Sequence, residues 1–147
     1  MTLMDAKPPD FARERRRRRT ITIIIVVILI AAGLAWEFRY WPEERVADKF
    51  FNALQRRDYE TAYGIYFADP NWKQHPQKYS QYTFNDFYRD WGPGGEWGVI
   101  KSYKIEAAGT CPGGNAGVVV QLIVNDRADR ARIWVQKSDK TLSTPPC

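Results

Sequence analysis

Histidine and cysteine are scarce in this 147-residue chain, which has one histidine, two cysteines and no Asn-x-Ser/Thr glycosylation signal. One histidine and two cysteines are fewer than the four ligands of a structural zinc site, so no metal is expected. No cofactor is expected either. No nucleophile can be paired with a base. The candidate acids and bases are Asp86, Asp90, Tyr63, Tyr88 and the single histidine, His75. This favours a non-catalytic protein and leaves an enzymatic role open.

A surplus of basic charge is also missing from most of the chain. Residues 1–20 hold seven Lys and Arg against three Asp and Glu, which leaves 15 against 14 for the remainder of the 22 basic and 17 acidic residues. A nucleic-acid-binding domain needs basic residues on its folded surface. Nucleic acid is therefore not an expected partner.

The stretch from Thr20 to Trp36 carries no charge. It directly follows five consecutive arginines, Arg15, Arg16, Arg17, Arg18 and Arg19. At about 1.5 Å per residue, a helix of this length covers roughly 25 Å, close to the thickness of a bilayer core. Basic residues beside a span stay in the cytoplasm. We therefore predict a basic cytoplasmic tail over residues 1–19, a membrane anchor over 20–41 and an extracytoplasmic head over 42–147.

This topology places a single-pass protein in the plasma (inner) membrane, with its N-terminus in the cytoplasm and its head in the periplasm or outside the cell. Residues 1–12 are polar and contain prolines, so we expect them to be disordered. The arginines, the apolar run and the small residues near Gly33 also resemble a cleaved signal peptide. The long core, rich in Ile and Val, and the aromatic residues behind it favour an uncleaved anchor.

Both cysteines, Cys111 and Cys147, follow the predicted anchor. Disulfides persist in oxidising compartments, and an exposed free cysteine is a liability in an extracytoplasmic protein. We predict a Cys111–Cys147 disulfide, the alternative being two free thiols.

Three helices are predicted in the first part of the head. Pro42 suits the first turn of the first helix, in which apolar residues recur at helical spacing as far as Leu54. Asp58 is placed to cap a second helix over 59–67. Aromatic residues at helical spacing predict a third helix from about Thr83 to Trp91. The polar segment between the last two helices indicates a loop.

Alternating apolar residues then predict three antiparallel strands, over 96–108, 116–125 and 130–137. One face of the sheet should be core. The residues expected on it are Tyr103, Ile105 and Ala107 in the first strand, Val118, Val120, Leu122 and Val124 in the second, and Ile133 and Val135 in the third.

The phrase ALQRRDYETAY at 53–63, the aromatic helix and the strand beginning EWGVIKSYKI together resemble the nuclear-transport-factor-2-like (cystatin-like) family, including anchored bacterial members of uncharacterised function. The resemblance implies an α+β fold, with about three helices on a curved antiparallel sheet of three or four strands. Since only three strands are found by pattern, either a short fourth strand lies within 68–82 or the fold is a reduced version. The layout is also similar to that of bitopic inner-membrane subunits of type IV secretion systems.

Two functions remain open for the head: a non-catalytic interaction or assembly module with envelope protein partners, and a tethered cone that binds or acts on a small hydrophobic ligand. A ligand pocket would be lined by aromatic residues. The candidates are Tyr63, Tyr66, Phe87, Trp91 and Trp97.

Three large apolar residues, Val119, Ile123 and Trp134, are expected on the sheet face opposite the core and need cover. A homodimer formed through this face would cover them. The alternative is that the curved sheet or the proline-containing C-terminal tail buries them within one chain.

Overall fold

The computed structural model describes residues 8–147, which form four α-helices and one four-stranded antiparallel sheet. The helices are α1 (Phe11–Glu37), α2 (Trp41–Gln55), α3 (Tyr59–Tyr66) and α4 (Phe84–Trp91), and the strands are β1 (Tyr103–Gly109), β2 (Gly117–Val124), β3 (Arg130–Gln136) and β4 (Leu142–Ser143). The contacts divide the chain into two units, one that ends at Arg39 and one that runs from Tyr40 to Cys147. The predicted α+β class is confirmed.

Helix α1 contains both the arginine run and the apolar segment. The Asp10 side chain caps the helix by accepting a hydrogen bond from the Arg13 backbone N–H at 3.1 Å. The helix therefore starts inside the segment predicted to be disordered, because arginine is a good helix former once a cap is present. The first seven residues of the predicted tail lie outside the described residues.

The apolar side chains of α1 are exposed along its whole length. No residue of this helix is buried, and exposed fractions run from 47% at Ile21 to 69% at Trp36. By length and composition, α1 is apolar enough to cross a membrane, and it is the one such segment among the described residues.

The three helices of the head begin with the predicted signals. Pro42 lies in the first turn of α2, and the Asp58 carboxylate accepts the backbone N–H of Thr61 at the start of α3. Thr83 and Asp86 form a reciprocal capping box on α4, in which each side chain accepts the other residue's backbone N–H. These caps satisfy N–H groups that the first helical turn leaves unpaired.

The strands follow one another in the order β1-β2-β3-β4, each antiparallel to the next. The fourth strand is Leu142–Ser143 and not a segment of 68–82, where two short 3₁₀ turns lie instead, Trp72–Gln74 and Pro76–Tyr79. Neither alternative is correct: the polar, proline-containing segment at 68–82 lacks the apolar alternation of a strand, and the additional strand follows β3 instead.

The core lies between one face of the sheet and helices α2 to α4. All six core residues predicted in β2 and β3 are at most 1% exposed. They are Val118, Val120, Leu122, Val124, Ile133 and Val135.

In β1 the predicted core face is wrong after Ile105. Ile105 pairs with Leu122 while Ala107 pairs with Gln121, so Glu106 is an extra residue in a β-bulge. A bulge reverses the alternation of the residues that follow it. Ala107 is therefore exposed, and Ala108 packs against the core.

The predicted disulfide is present and joins Cys111 to Cys147, with 5.8 Å between the two Cα atoms. Cys111 packs with Val119 and Trp134 on the sheet face opposite the core, and all three are only 8% exposed. The Trp134 ring lies over Gly117, where a Cβ would come within 2.4 Å of the indole. Two of the three residues expected to need cover are thus buried within one chain, and Ile123 is half-buried.

Candidate binding cleft

A cleft of about 850 Å³ lies beside the edge of β3 and is lined by residues from α3, α4, the loop after α4 and both sides of the β3–β4 turn. We call it the edge cleft. Its lining includes Tyr66, Trp91 and Trp97, three of the five residues predicted to line a ligand pocket.

The aromatic rings of Trp91 and Tyr66 in the cleft pack against the hydrophobic core. The Trp91 ring meets the Phe50 ring edge-on, with 5.0 Å between centroids, and the Tyr66 ring lies 6.0 Å from Phe50. Phe50 itself is fully buried. Edge-to-face packing orients a ring as well as burying it, so Trp91 presents a defined surface to the cleft.

The other two predicted pocket residues, Tyr63 and Phe87, lie in the core. Their exposed fractions are 1% and 0%, and their ring centroids are 5.3 Å apart. The Tyr63 hydroxyl donates a hydrogen bond to the Tyr82 carbonyl at 2.6 Å. These two side chains therefore fill the interior of the head.

Trp97 owes its position to Asn125 in the turn between β2 and β3. The Asn125 side-chain carbonyl accepts the backbone N–H groups of Lys101 and Ser102 at 2.7 and 3.2 Å. Its amide donates to the Val99 and Trp97 carbonyls at 3.0 and 3.4 Å. A single side chain thus ties residues 97–102 to the turn.

Arg127, in the same turn, lies over the Trp97 ring at 4.7 Å and donates to the Glu96 carbonyl. This cation–π contact covers one face of the indole. The role of Asn125 was not predicted from the sequence. Its signal was the Asn-Asp pair at 125–126, since both residues adopt the positive φ that asparagine and aspartate tolerate.

Polar groups in the edge cleft are suited to hydrogen bonding. The Tyr82 hydroxyl donates to the Asp90 carboxylate at 3.0 Å, and burial together with this bond raises the pKa of Tyr82. Tyr82 therefore stays protonated at neutral pH and acts as a donor. Arg89 lies 3.5 Å from the Asp90 carboxylate. Among the described residues that line the cleft, no nucleophile is paired with a base.

The remaining candidate acids and bases lie outside the cleft lining. Asp86 is engaged in the α4 capping box, and Tyr88 is 45% exposed on the same helix. His75 and the Tyr79 hydroxyl both contact one carboxylate oxygen of Asp69, and the Asn71 N–H donates to the other at 3.0 Å.

The pKa values of this cluster follow from its contacts. The hydrogen bond from Tyr79, followed by those from His75 and Asn71, holds the pKa of Asp69 below its usual range. Burial and the bond to Asp69 raise the pKa of Tyr79 to about 12. The cluster closes the loop after α3. None of its four residues lines the edge cleft.

A second opening of about 620 Å³, the helix groove, lies between α2 and α3. Val46, Ile65 and Trp72 contribute apolar surface to it, and Lys140 lies at its rim. The Lys140 ammonium donates to the buried Glu43 carboxylate at 2.6 Å, which links the start of α2 to the β3–β4 turn. This groove was not predicted from the sequence.

Among residues 8–147 no group of three or more His, Cys, Asp or Glu side chains is arranged to hold a metal ion. No protein-family model, curated protein or solved structure matches the chain. The resemblance to the nuclear-transport-factor-2-like family stays a prediction that rests on the sequence.

Proposed function

We propose that this chain is a single-pass membrane protein whose extracytoplasmic head binds a protein of the cell envelope at the edge cleft and catalyses no reaction. The observation that carries the proposal is the open edge cleft, with its aromatic wall, on a head whose interior is filled by side chains. The head is further proposed to be of the nuclear-transport-factor-2-like kind.

The exposed apolar side chains of α1 support the membrane anchor. A soluble protein rarely leaves a continuous apolar helix in water, because each exposed side chain forgoes the favourable transfer out of water. The arginines that precede the apolar segment favour a cytoplasmic N-terminus. The Cys111–Cys147 disulfide agrees with an oxidising compartment for the head.

The filled interior favours a protein partner over an enclosed small ligand. Tyr63 contacts the rings of Phe67, Trp72, Phe84 and Phe87 at centroid distances between 4.7 and 5.6 Å, so the space beneath the helices is occupied by aromatic side chains. The edge cleft is open to solvent along the sheet edge. Its lining includes aromatic residues and arginines, which are residue types enriched at protein interfaces.

The orientation is tested by protease treatment of spheroplasts. We expect added protease to remove the head while the cytoplasmic tail stays protected. A head that survives in intact spheroplasts but is cut after lysis would reverse the topology, and a mature N-terminus near Trp36 would establish cleavage of the anchor.

The binding site is tested by placing the photo-crosslinker p-benzoylphenylalanine at position 144, in place of Thr144, which is exposed and lines the edge cleft. The matched control carries the crosslinker in place of Tyr88, which is exposed on α4 outside the cleft lining. We expect a discrete adduct with an envelope protein from position 144 and none from position 88. Equal labelling from both positions would contradict binding at the cleft.

A second candidate function, binding of a small hydrophobic ligand, is favoured by the apolar lining of the helix groove. Its volume of about 620 Å³ lies within the range of small-molecule sites. Native mass spectrometry of the purified full chain should then show a bound mass that is lost in Gly64→Leu, since a Cβ at Gly64 would already lie 3.3 Å from Trp72 in the groove.

Self-association through Val119, Ile123 and Trp134 stays a prediction. Val119 and Trp134 are buried within one chain, so they do not need a second copy to cover them. For the same reason, Trp134→Glu would test folding as well as association. Analytical ultracentrifugation of the wild-type chain is the direct measurement, and a monomer at high micromolar concentration would exclude the dimer.

A further inference from the structure

Half of the β3 edge has no strand beside it. Strand β4 pairs only at Trp134↔Ser143 and Val135↔Leu142, whereas β3 begins at Arg130. The stretch from Arg130 to Ile133 therefore borders the edge cleft, whose lining includes Arg130, Arg132 and Ile133.

The backbone direction along β3 can be read from its hydrogen bonds. The Gln136 N–H donates to the Thr141 carbonyl on the β4 side, and the Lys137 N–H donates to the Ala116 carbonyl on the β2 side. Backbone groups of successive strand residues point alternately to the two neighbours. The N–H and C=O of Arg132, and those of Arg130, thus point away from β2 and into the cleft.

The C-terminal tail does not continue the pairing along this edge. Continuing the register of β4 would place Pro145 opposite Arg132. Proline has no N–H, so Pro145 could not donate to the Arg132 carbonyl in that register. The tail instead leads to the disulfide at Cys111, on the sheet face opposite the core.

We propose that the partner docks by strand addition, with an extended segment pairing antiparallel or parallel to Arg130–Ile133 inside the edge cleft. This inference rests on the proposed function and specifies how the cleft binds. Main-chain hydrogen bonds to Arg132 would supply affinity, and alternate side chains of the segment would supply specificity.

The cleft also indicates the chemistry of the segment. Side chains on the core side of the added strand would meet Tyr66, Trp91 and Trp97, so apolar residues fit there. A residue opposite Arg132 would lie beside a guanidinium that has no ion pair among residues 8–147, so an acidic residue fits there. The partner segment should alternate apolar with acidic or polar residues.

A second copy of this chain is a poorer occupant than a different protein. Two β3 edges paired about a two-fold axis would place the Arg130 and Arg132 side chains of the two copies beside one another on the same face. Like charges on directly opposed strand positions are destabilising.

The test compares Arg132→Pro with Arg132→Ala in the full chain that carries the crosslinker at position 144. Both variants remove the guanidinium, but only proline removes the N–H that points into the cleft, and proline is tolerated on strand edges. We expect Arg132→Pro to lower the adduct yield about fivefold or more relative to Arg132→Ala, the size of effect of losing one or more main-chain hydrogen bonds.

The outcomes separate the two levels of the proposal. Equal adduct yields from Arg132→Pro and Arg132→Ala would overturn strand addition and leave binding at the cleft intact. No specific adduct from position 144 in the wild-type background would overturn both. An adduct with the mass of two chains would identify a second copy as the occupant and overturn the proposal of a different partner.

Two further measurements keep the proposal testable if Arg132→Pro fails to fold. Arg130→Pro against Arg130→Ala probes the adjacent outward N–H, at the first residue of β3, where proline is readily accepted. Amide exchange of the unbound full chain in micelles should show the Arg132 N–H exchanging about tenfold or more faster than that of Ile133. Equal protection of both amides would show that the edge is already paired and would overturn the proposal.

Discussion

Asn125 joins the turn after β2 to the segment that carries Trp97, and its replacement tests how the edge cleft is built. The backbone of Asn125 has φ of 51°, in the left-handed region. Asn125→Gly keeps this conformation without strain and removes only the side chain. Asn125→Ala removes the same hydrogen bonds and also places a Cβ in the left-handed region.

The expected loss follows from the four side-chain hydrogen bonds of Asn125. Two are short, at 2.7 and 3.0 Å, and two are long, at 3.2 and 3.4 Å. With about 1 kcal/mol for each short bond and about half of that for each long one, the sum is near 3 kcal/mol. Because Lys101 is exposed and water can replace its partner, we expect Asn125→Gly to lower the free energy of unfolding by about 2 kcal/mol.

Asn125→Ala should cost about 1 kcal/mol more than Asn125→Gly, because an alanine in the left-handed region is strained. Both values can be measured by urea denaturation of the full chain in micelles, followed by tryptophan fluorescence. A loss of 2 kcal/mol in a head of this size lowers Tm by about 10 °C. A loss below about 0.5 kcal/mol for Asn125→Gly, or equal losses for the two variants, would refute the reasoning.

Three further predictions concern contacts elsewhere in the head. Cys147→Ser should lower the free energy of unfolding by about 4 kcal/mol in the chain-entropy model, because the disulfide spans 36 residues, and a loss below about 1 kcal/mol would contradict this constraint. Lys140→Ala should cost about 2 kcal/mol, because it leaves the buried Glu43 carboxylate without its ammonium partner. Adding Glu43→Gln should recover part of that loss, whereas purely additive losses would show that the pair is not coupled. The lowered pKa of Asp69 contributes stability that is present above its unfolded pKa of about 4 and is lost as pH falls through the lower folded value. Between neutral and acidic pH the wild-type chain should thus lose more stability than Asp69→Asn, and parallel pH profiles in thermal melts would rule out this contribution.

The α+β class, the three helices of the head and the core faces of β2 and β3 were predictable from the sequence. These features depend on neighbours along the chain. Thr83 and Asp86 cap α4 because they are three residues apart, and Val118, Val120 and Leu122 share a face because strand side chains alternate.

The β-bulge at Glu106 could not be predicted in this way. Its carboxylate accepts hydrogen bonds from Gln121 on β2 and from Arg130 on β3, residues 15 and 24 positions further along the chain. The added residue brings Ala108 rather than Ala107 to the core. Such a choice depends on partners that only the folded sheet brings together.

The edge cleft was predictable in part, since Tyr66, Trp91 and Trp97 were recognised as candidates by their residue type. Aromatic type and helical spacing do not distinguish a side chain that faces a cleft from one that fills the core, which is why Tyr63 and Phe87 were grouped with them.

The sequence by itself determined the four helices, strands β1 to β3 and the apolar character of α1, because capping, helical spacing and strand alternation are local properties of the chain. Tertiary structure alone decided which aromatic residues remain accessible and which half of the β3 edge stays open. The open edge depends on where Pro145 falls in the register of β4 and on the disulfide that draws the tail towards Cys111. Both are relations between residues distant in sequence, and they exist only once the sheet has formed.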